Sequence, residues 1–174
     1  MKKFLLISFI TLFSTTIHAQ DFPKVDASPM DAIMVRDSNK QSFMRIIYSR
    51  PKKNGRKIFG ELVPYGEVWR TGANEATEIT FYNKVNFCGQ MVDAGTYSLF
   101  TIPNKDKWTI ILNNDINQWG AYRYNAENDV ARVEVTPKTT AANVESFSIT
   151  SKKTKDGFDL LLGWDDTYVE IPVK

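Results

Sequence analysis

The sequence predicts an all-β fold: an antiparallel β-sandwich of roughly nine or ten short strands with little helix. Three observations lead there. Apolar residues alternate with polar ones over short runs, as in VARVEV at 130–135, so the period is two rather than 3.6. Clusters of Gly, Pro, Asp and Asn break the chain at the spacing of strands and turns. The alternating runs also carry apolar faces that must cover one another, which calls for two layers.

Taken in order, Asp21 to Ser28 reads as an extended leader. MDAIMVR and SFMRIIYSR flank the polar cluster Asp37-Ser38-Asn39-Lys40 and form an expected hairpin. Met44, Ile46 and Tyr48 share one face, and Phe43, Arg45 and Ile47 the other. Pro51 stops the second strand. Gly55, Gly60, Pro64 and Gly66 then divide the chain into turns, with at most one helical turn near Ile58 to Leu62. TEITFYN alternates, with Ile79 and Phe81 on one face. VNFCGQMVD reads as two short strands about a turn at Cys88-Gly89, and Asp93-Ala94-Gly95 is a further turn.

TYSLFTIP is a strand ended by Pro103, and Asn104 to Lys107 form a polar loop. WTIILN places Trp108, Ile110 and Leu112 on one face. VARVEVTP turns Ala131, Val133 and Val135 inward, and ESFSITSK does the same with Phe147 and Ile149. Asp156-Gly157 is a hairpin turn into FDLLLGW, which aligns Phe158, Leu160, Leu162 and Trp164. Asp165-Asp166 is expected to turn the chain before the closing strand YVEIPV. Two stretches follow neither period: 64–77, ending in VWRTGANEAT, and 113–129.

The first residues carry a leader. Lys2 and Lys3 precede an apolar run from Phe4 to Phe13, and Ala19 offers a small residue for cleavage. Residues 1–19 therefore read as a signal peptide and 20–174 as one β-sandwich domain, periplasmic or secreted. The apolar run is too short for a comfortable membrane anchor, no Cys follows the cut for lipidation, and no later segment is apolar for long enough to span a bilayer. Loss of 19 of the 174 residues leaves 155, enough for one core. It also removes two of the 22 Lys and Arg, leaving 20 against 20 Asp and Glu. A chain near neutrality without a basic run is not expected to bind nucleic acid.

The one histidine, His18, lies in the leader. The exported chain would have none, which excludes a Ser-His-Asp triad, a Cys-His dyad and His-ligated zinc or copper. Cys88 is a lone cysteine, so no internal disulfide forms, and it reads as a small, partly buried hydrophobe. No cofactor or metal site is expected. Asn113, Asp115 and Asn117 echo the start of a calcium loop, but the required Gly is missing and Tyr124 stands where the loop's closing Glu belongs.

Trp108 and Trp164 end apolar strand faces and belong in the core. Trp69 and Trp119 each sit beside glycine in an irregular stretch. Two roles are open to them, ligand stacking and inward plugging. Arg70 needs either a carboxylate, with Glu75 or Asp129 as candidates, or a ligand that accepts its fork. Asn74 can donate and accept in either case, and Gly72 marks a tight backbone position.

YSRP at 48–51, GRKIFGELVPYGEVWRTGANEAT at 55–77, AGTYSLFTIP at 94–103, WTIILN and WGAYRY together resemble the exported bacterial domain-of-unknown-function family number 2911. The resemblance covers nearly all of the chain after the leader. It implies a secreted or periplasmic β protein and carries no activity or catalytic residue. It also places Tyr48 to Thr77 in a shared framework.

Two functions from different classes are compatible with these residues. The first is a non-enzymatic binding or accessory module that grips a glycan or peptide with Trp69, Arg70, Asn74, Glu75, Trp119 and Tyr122. It requires 64–77 and 113–129 to meet at one end of the sandwich. The alternative is a histidine-free hydrolase of glycans using two of Glu75, Glu127, Asp129, Asp165 and Asp166. A structural envelope protein is the third reading. Oligomeric state is left open.

Overall fold

A computed structural model describes residues 20–174; the expected signal peptide, 1–19, lies outside the described residues. Ten strands follow in order: β1 Met30–Arg36, β2 Ser42–Ser49, β3 Thr77–Phe81, β4 Val85–Phe87, β5 Gln90–Val92, β6 Gly95–Ile102, β7 Trp108–Asn113, β8 Asp129–Val135, β9 Lys138–Lys153 and β10 Phe158–Val173. A single 3-10 turn, Ala126–Asn128, precedes β8. The strands form a six-stranded sheet in the order β1-β2-β3-β6-β7-β8 and a four-stranded sheet in the order β5-β4-β10-β9. Every pairing within them is antiparallel, so the all-β sandwich predicted from the alternation is the fold.

Local chemistry explains the turns. The Asp37 carboxylate accepts the backbone N–H groups of Asn39 and Gln41, each at 2.8 Å, and closes the β1–β2 hairpin. Cys88 and Gly89 both take positive φ, at 49° and 94°, as a tight two-residue hairpin turn between β4 and β5 requires. Asn86 Oδ1 accepts the Gly89 N–H at 2.6 Å and braces it.

The core lies between the sheets. Met44, Ile46, Ile79, Leu99, Ile110 and Leu112 face Phe147, Leu160, Leu162, Val169 and Ile171, and all are buried. Full burial of each such side chain contributes about 1.5–3 kcal/mol before entropy is counted. A buried polar tie also joins the sheets. The Tyr48 hydroxyl on β2 accepts the Ile149 N–H of β9 at 3.1 Å and donates to the Ile149 carbonyl at 3.4 Å. A smaller apolar cluster, Ala76, Phe100 and Ile111, sits on the outer face of the six-stranded sheet, where Val68, Ala121 and Tyr124 cover it.

One local expectation fails. Asp165-Asp166 is not a turn: β10 runs on through it to Val173. Asp165 takes φ 59° at an irregularity in the β9–β10 ladder, and Lys53 and Asn143 both donate to its carboxylate. The chain changes face there without reversing. The last hairpin is therefore long, 16 residues in each strand. At 58–62, where at most one helical turn is expected, none forms. The segment folds as hydrogen-bonded turns, with Val63 N–H donating to Ile58 O at 2.9 Å, and it buries Ile58, Phe59 and Val63.

Candidate functional site

The stretch Val68 to Thr77 begins as a strand-like segment. Trp69 pairs with Thr101 through N–H to carbonyl bonds of 2.7 and 2.9 Å in the two directions. The chain then loops out and returns, closed by the Thr77 N–H on the Arg70 carbonyl at 3.1 Å. Inside the loop the Thr77 hydroxyl donates to Thr71 O at 2.6 Å, and Trp69 Nε1 donates to Gly72 O at 3.1 Å. Gly72 is needed for close approach, since a Cβ there would stand 3.0 Å from Ser49 O and 3.3 Å from Thr77 Oγ1. Thr71 sits at φ 56°, a strained position for a β-branched residue. Its buried hydroxyl donates to Thr101 Oγ1 at 3.2 Å and helps hold it there.

The two tryptophans of the irregular stretches part company. Trp69 is 8 % exposed. Its ring stacks on Trp164 and meets Phe147 and Phe59 edge-on. It plugs the end of the core. Trp119 is 62 % exposed and Tyr122 83 % exposed.

The two stretches nevertheless meet. Glu75 and Trp119 form an antiparallel bridge; Ala76 N–H donates to Gln118 O at 2.8 Å, and Gly120 N–H to Asn74 O at 3.0 Å. Beyond the bridge, Tyr124 packs edge-on against Phe100, with centroids 5.2 Å apart, and so fastens the second stretch to the outer sheet face. Glu75 is exposed, as Trp119 and Tyr122 are.

Arg70 has no carboxylate within ion-pair distance among the described residues, so the expected pairing with Glu75 or Asp129 does not form. Asp129 is taken by Arg132 at 3.1 Å, by the Tyr124 hydroxyl at 2.7 Å and by Asn113 at 2.8 Å. Arg70 instead lines a cavity of about 320 Å³ with Ser28, Arg56, Trp69, Asn74 and Trp164. Its Nε is buried and meets no acceptor among the described residues. Asn74, at φ 57°, donates from Nδ2 to Asp26 at 3.1 Å. The extended segment Asp21 to Ser28 thus reaches this cavity: Ser28 lines it, and Asp26 is bound to the lining residue Asn74. Sequence reasoning passed over Arg56, Asp26 and Ser28, because nothing local ties them to Arg70.

The other candidate residues are dispersed. Asp165 lies in β10, in the sheet opposite Asp129. Burial alone would raise the Asp165 pKa, but hydrogen bonds from Lys53 and Asn143 and the ammonium charge outweigh it and hold the carboxyl below its ordinary value. A general acid needs the opposite shift. The calcium-like run is spent internally: Asn113 donates to Asn125 O at 2.9 Å, and Asp115 accepts from Asn128 at 2.8 Å. A larger hollow, about 610 Å³, lies beside β4, β8 and β10 and includes Cys88. Burial, with the nearby Asp159 charge, pushes the Cys88 thiol up to about 11, so it is a poor nucleophile. Lys138 and Glu170 in that hollow pair with each other.

The family model described as "Protein of unknown function (DUF2911)" matches residues 28–173. The chain belongs to this family. The match begins at Ser28 and spans every strand, so the Trp69 plug, Arg70 and the Glu75–Trp119 junction all lie within the family domain. No curated protein and no solved structure matches the chain.

Proposed function

We propose that this member of the family is an exported, non-catalytic module that binds a glycan at the end of the sandwich where 68–77 and 113–125 meet. The Glu75–Trp119 junction is the observation that carries the reading. It joins the segment that carries the exposed rings of Trp119 and Tyr122 to the backbone of Asn74, whose residue lines the polar cavity. Exposed aromatics on a braced backbone suit the flat faces of sugar rings, and polar side chains alongside them can fix ring orientation. Trp69 belongs to this site as part of its wall, not as a stacking platform.

A glycan is favoured over a peptide for a backbone reason. A peptide docking in extended form needs an unpaired strand edge. Here the edge at Asn74–Ala76 is already paired with Gln118–Gly120. Export rests on the leader-like residues 1–19, and among the described residues no helix is long and apolar enough to cross a membrane.

Thermal unfolding of protein carrying residues 20–174 tests the reading. A glycan at a hundred times its dissociation constant should add about 2.7 kcal/mol. The gain should vanish in Trp119→Ala while the unliganded midpoint stays put. A midpoint unmoved by neutral and acidic oligosaccharides alike would remove the proposal, and release of shorter sugars would favour the hydrolase instead.

A further inference from the structure

We propose that the cavity between Arg56 and Arg70 takes the carboxylate of an acidic sugar, a hexuronic acid unit of the bound glycan. The inference deepens the binding reading above and rests on it.

The charge of the lining comes first. Arg56 and Arg70 both line the cavity, and among the described residues no carboxylate does. Among the described residues neither arginine forms an ion pair. Arg56 is held in place by its own neighbours: Nε donates to Lys53 O at 2.9 Å and Nη2 to Lys52 O at 2.6 Å. Those bonds occupy the Nε–Nη2 edge and fix the guanidinium plane; among the described residues Nη1 has no partner. Arg70 brings a buried Nε with no acceptor among the described residues. Two guanidinium groups around one small cavity match the planar, two-oxygen geometry of a carboxylate.

The chain itself supplies a second observation. At the rim, Asn74 Nδ2 already holds a carboxylate, that of Asp26 from the leader. Asp26 also accepts the Ser28 N–H at 2.7 Å. One lining residue, Asn74, therefore already holds a carboxylate on its exposed side. A hexuronic acid adds ring hydroxyls, for which the Ser28 and Asn74 side chains are partners. The buried indoles of Trp69 and Trp164 form the floor behind it. The neighbouring units of the chain would reach Trp119 and Tyr122.

Calorimetric titration with trigalacturonate, neutral galactotriose and a short peptide with a free C-terminal carboxylate tests the inference. The acidic sugar should bind about tenfold tighter than the neutral one, and its affinity should fall as salt rises. Arg70→Gln should lower the affinity for trigalacturonate far more than that for the neutral sugar and so erase the preference. Arg70→Lys, which keeps the charge but not the fork, should restore only part of it. Arg56→Gln gives an independent reading if the melting curve shows that Arg70→Gln is misfolded. Equal affinity for the two sugars overturns the carboxylate inference and leaves the glycan reading standing. So does a preference that survives both Arg70→Gln and Arg56→Gln. Tighter binding of the peptide replaces the sugar with a peptide carboxylate. Binding of none of the three removes the inference and the reading beneath it.

Discussion

The indole of Trp69 stacks on that of Trp164, with centroids 5.9 Å apart and planes 17° from parallel. One ring comes from an irregular stretch and the other from β10 of the four-stranded sheet, so the contact closes the end of the core. Trp69→Ala should cost about 3–5 kcal/mol, since nothing nearby can fill the gap. Trp119→Ala should change stability by no more than about 0.5 kcal/mol. Urea unfolding of the two variants checks the contrast. Equal losses would mean that Trp119 also holds the fold together.

Tyr48 and Ile149 tie the two sheets by hydrogen bonds in both directions. Burial is the main reason the phenol pKa is raised, so the group stays a neutral donor and acceptor. Tyr48→Phe keeps the ring against Phe147 and removes the hydroxyl. It should cost about 1–3 kcal/mol, because the Ile149 N–H loses its acceptor. The urea midpoint reports the loss, and an unchanged midpoint would show that the tie contributes little.

Asp165 should make stability depend on pH in one direction. Its folded pKa is depressed, so its contribution is fully present above the ordinary carboxylate range and is lost as pH falls through the folded value. Asp165→Asn is a clean comparison, because Asn tolerates the positive φ. The variant should be less stable than the parent by about 1–3 kcal/mol near neutrality. The gap should close below about pH 4. Melting curves across that range test it, and a gap that widened toward acid would contradict the assignment.

Asp26 holds the leader against Asn74 and places a negative charge at the mouth of the cavity. Asp26→Ala should free Asn74, expose residues 20–28 to proteases and raise trigalacturonate affinity about threefold. Timed proteolysis and calorimetry follow the two effects separately. A loss of affinity would show that the leader completes the site instead of competing with it.

Much of the fold was legible because its signals are local. The Asp37–Lys40, Cys88-Gly89 and Asp156-Gly157 turns lie where their residue types place them, and the Trp108-Ile110-Leu112 face is buried as its alternation requires. The misreading at Asp165 also had a signal. Inward residues are even-numbered from Phe158 to Trp164 and odd-numbered from Val169 to Val173, which marks a change of face within a continuing strand. The site was only half legible. Trp69 and Trp119 both lie in irregular stretches that contain glycine, yet a backbone bridge to Thr101 turns the first inward. Arg70's surroundings come from the leader, from Arg56 and from the opposite sheet, contacts that no local pattern encodes.

The central claim is that this end of the sandwich is a ligand site. Amide and indole NMR spectra of labelled protein, recorded during titration with trigalacturonate, test it most directly. The account predicts shifts concentrated at Arg56, Arg70, Asn74, Tyr122 and the Trp119 indole, with the outer face of β9 and β10 unmoved. Shifts confined to that outer face, around Thr140, Leu161 and Tyr168, or no shifts at all, would contradict it.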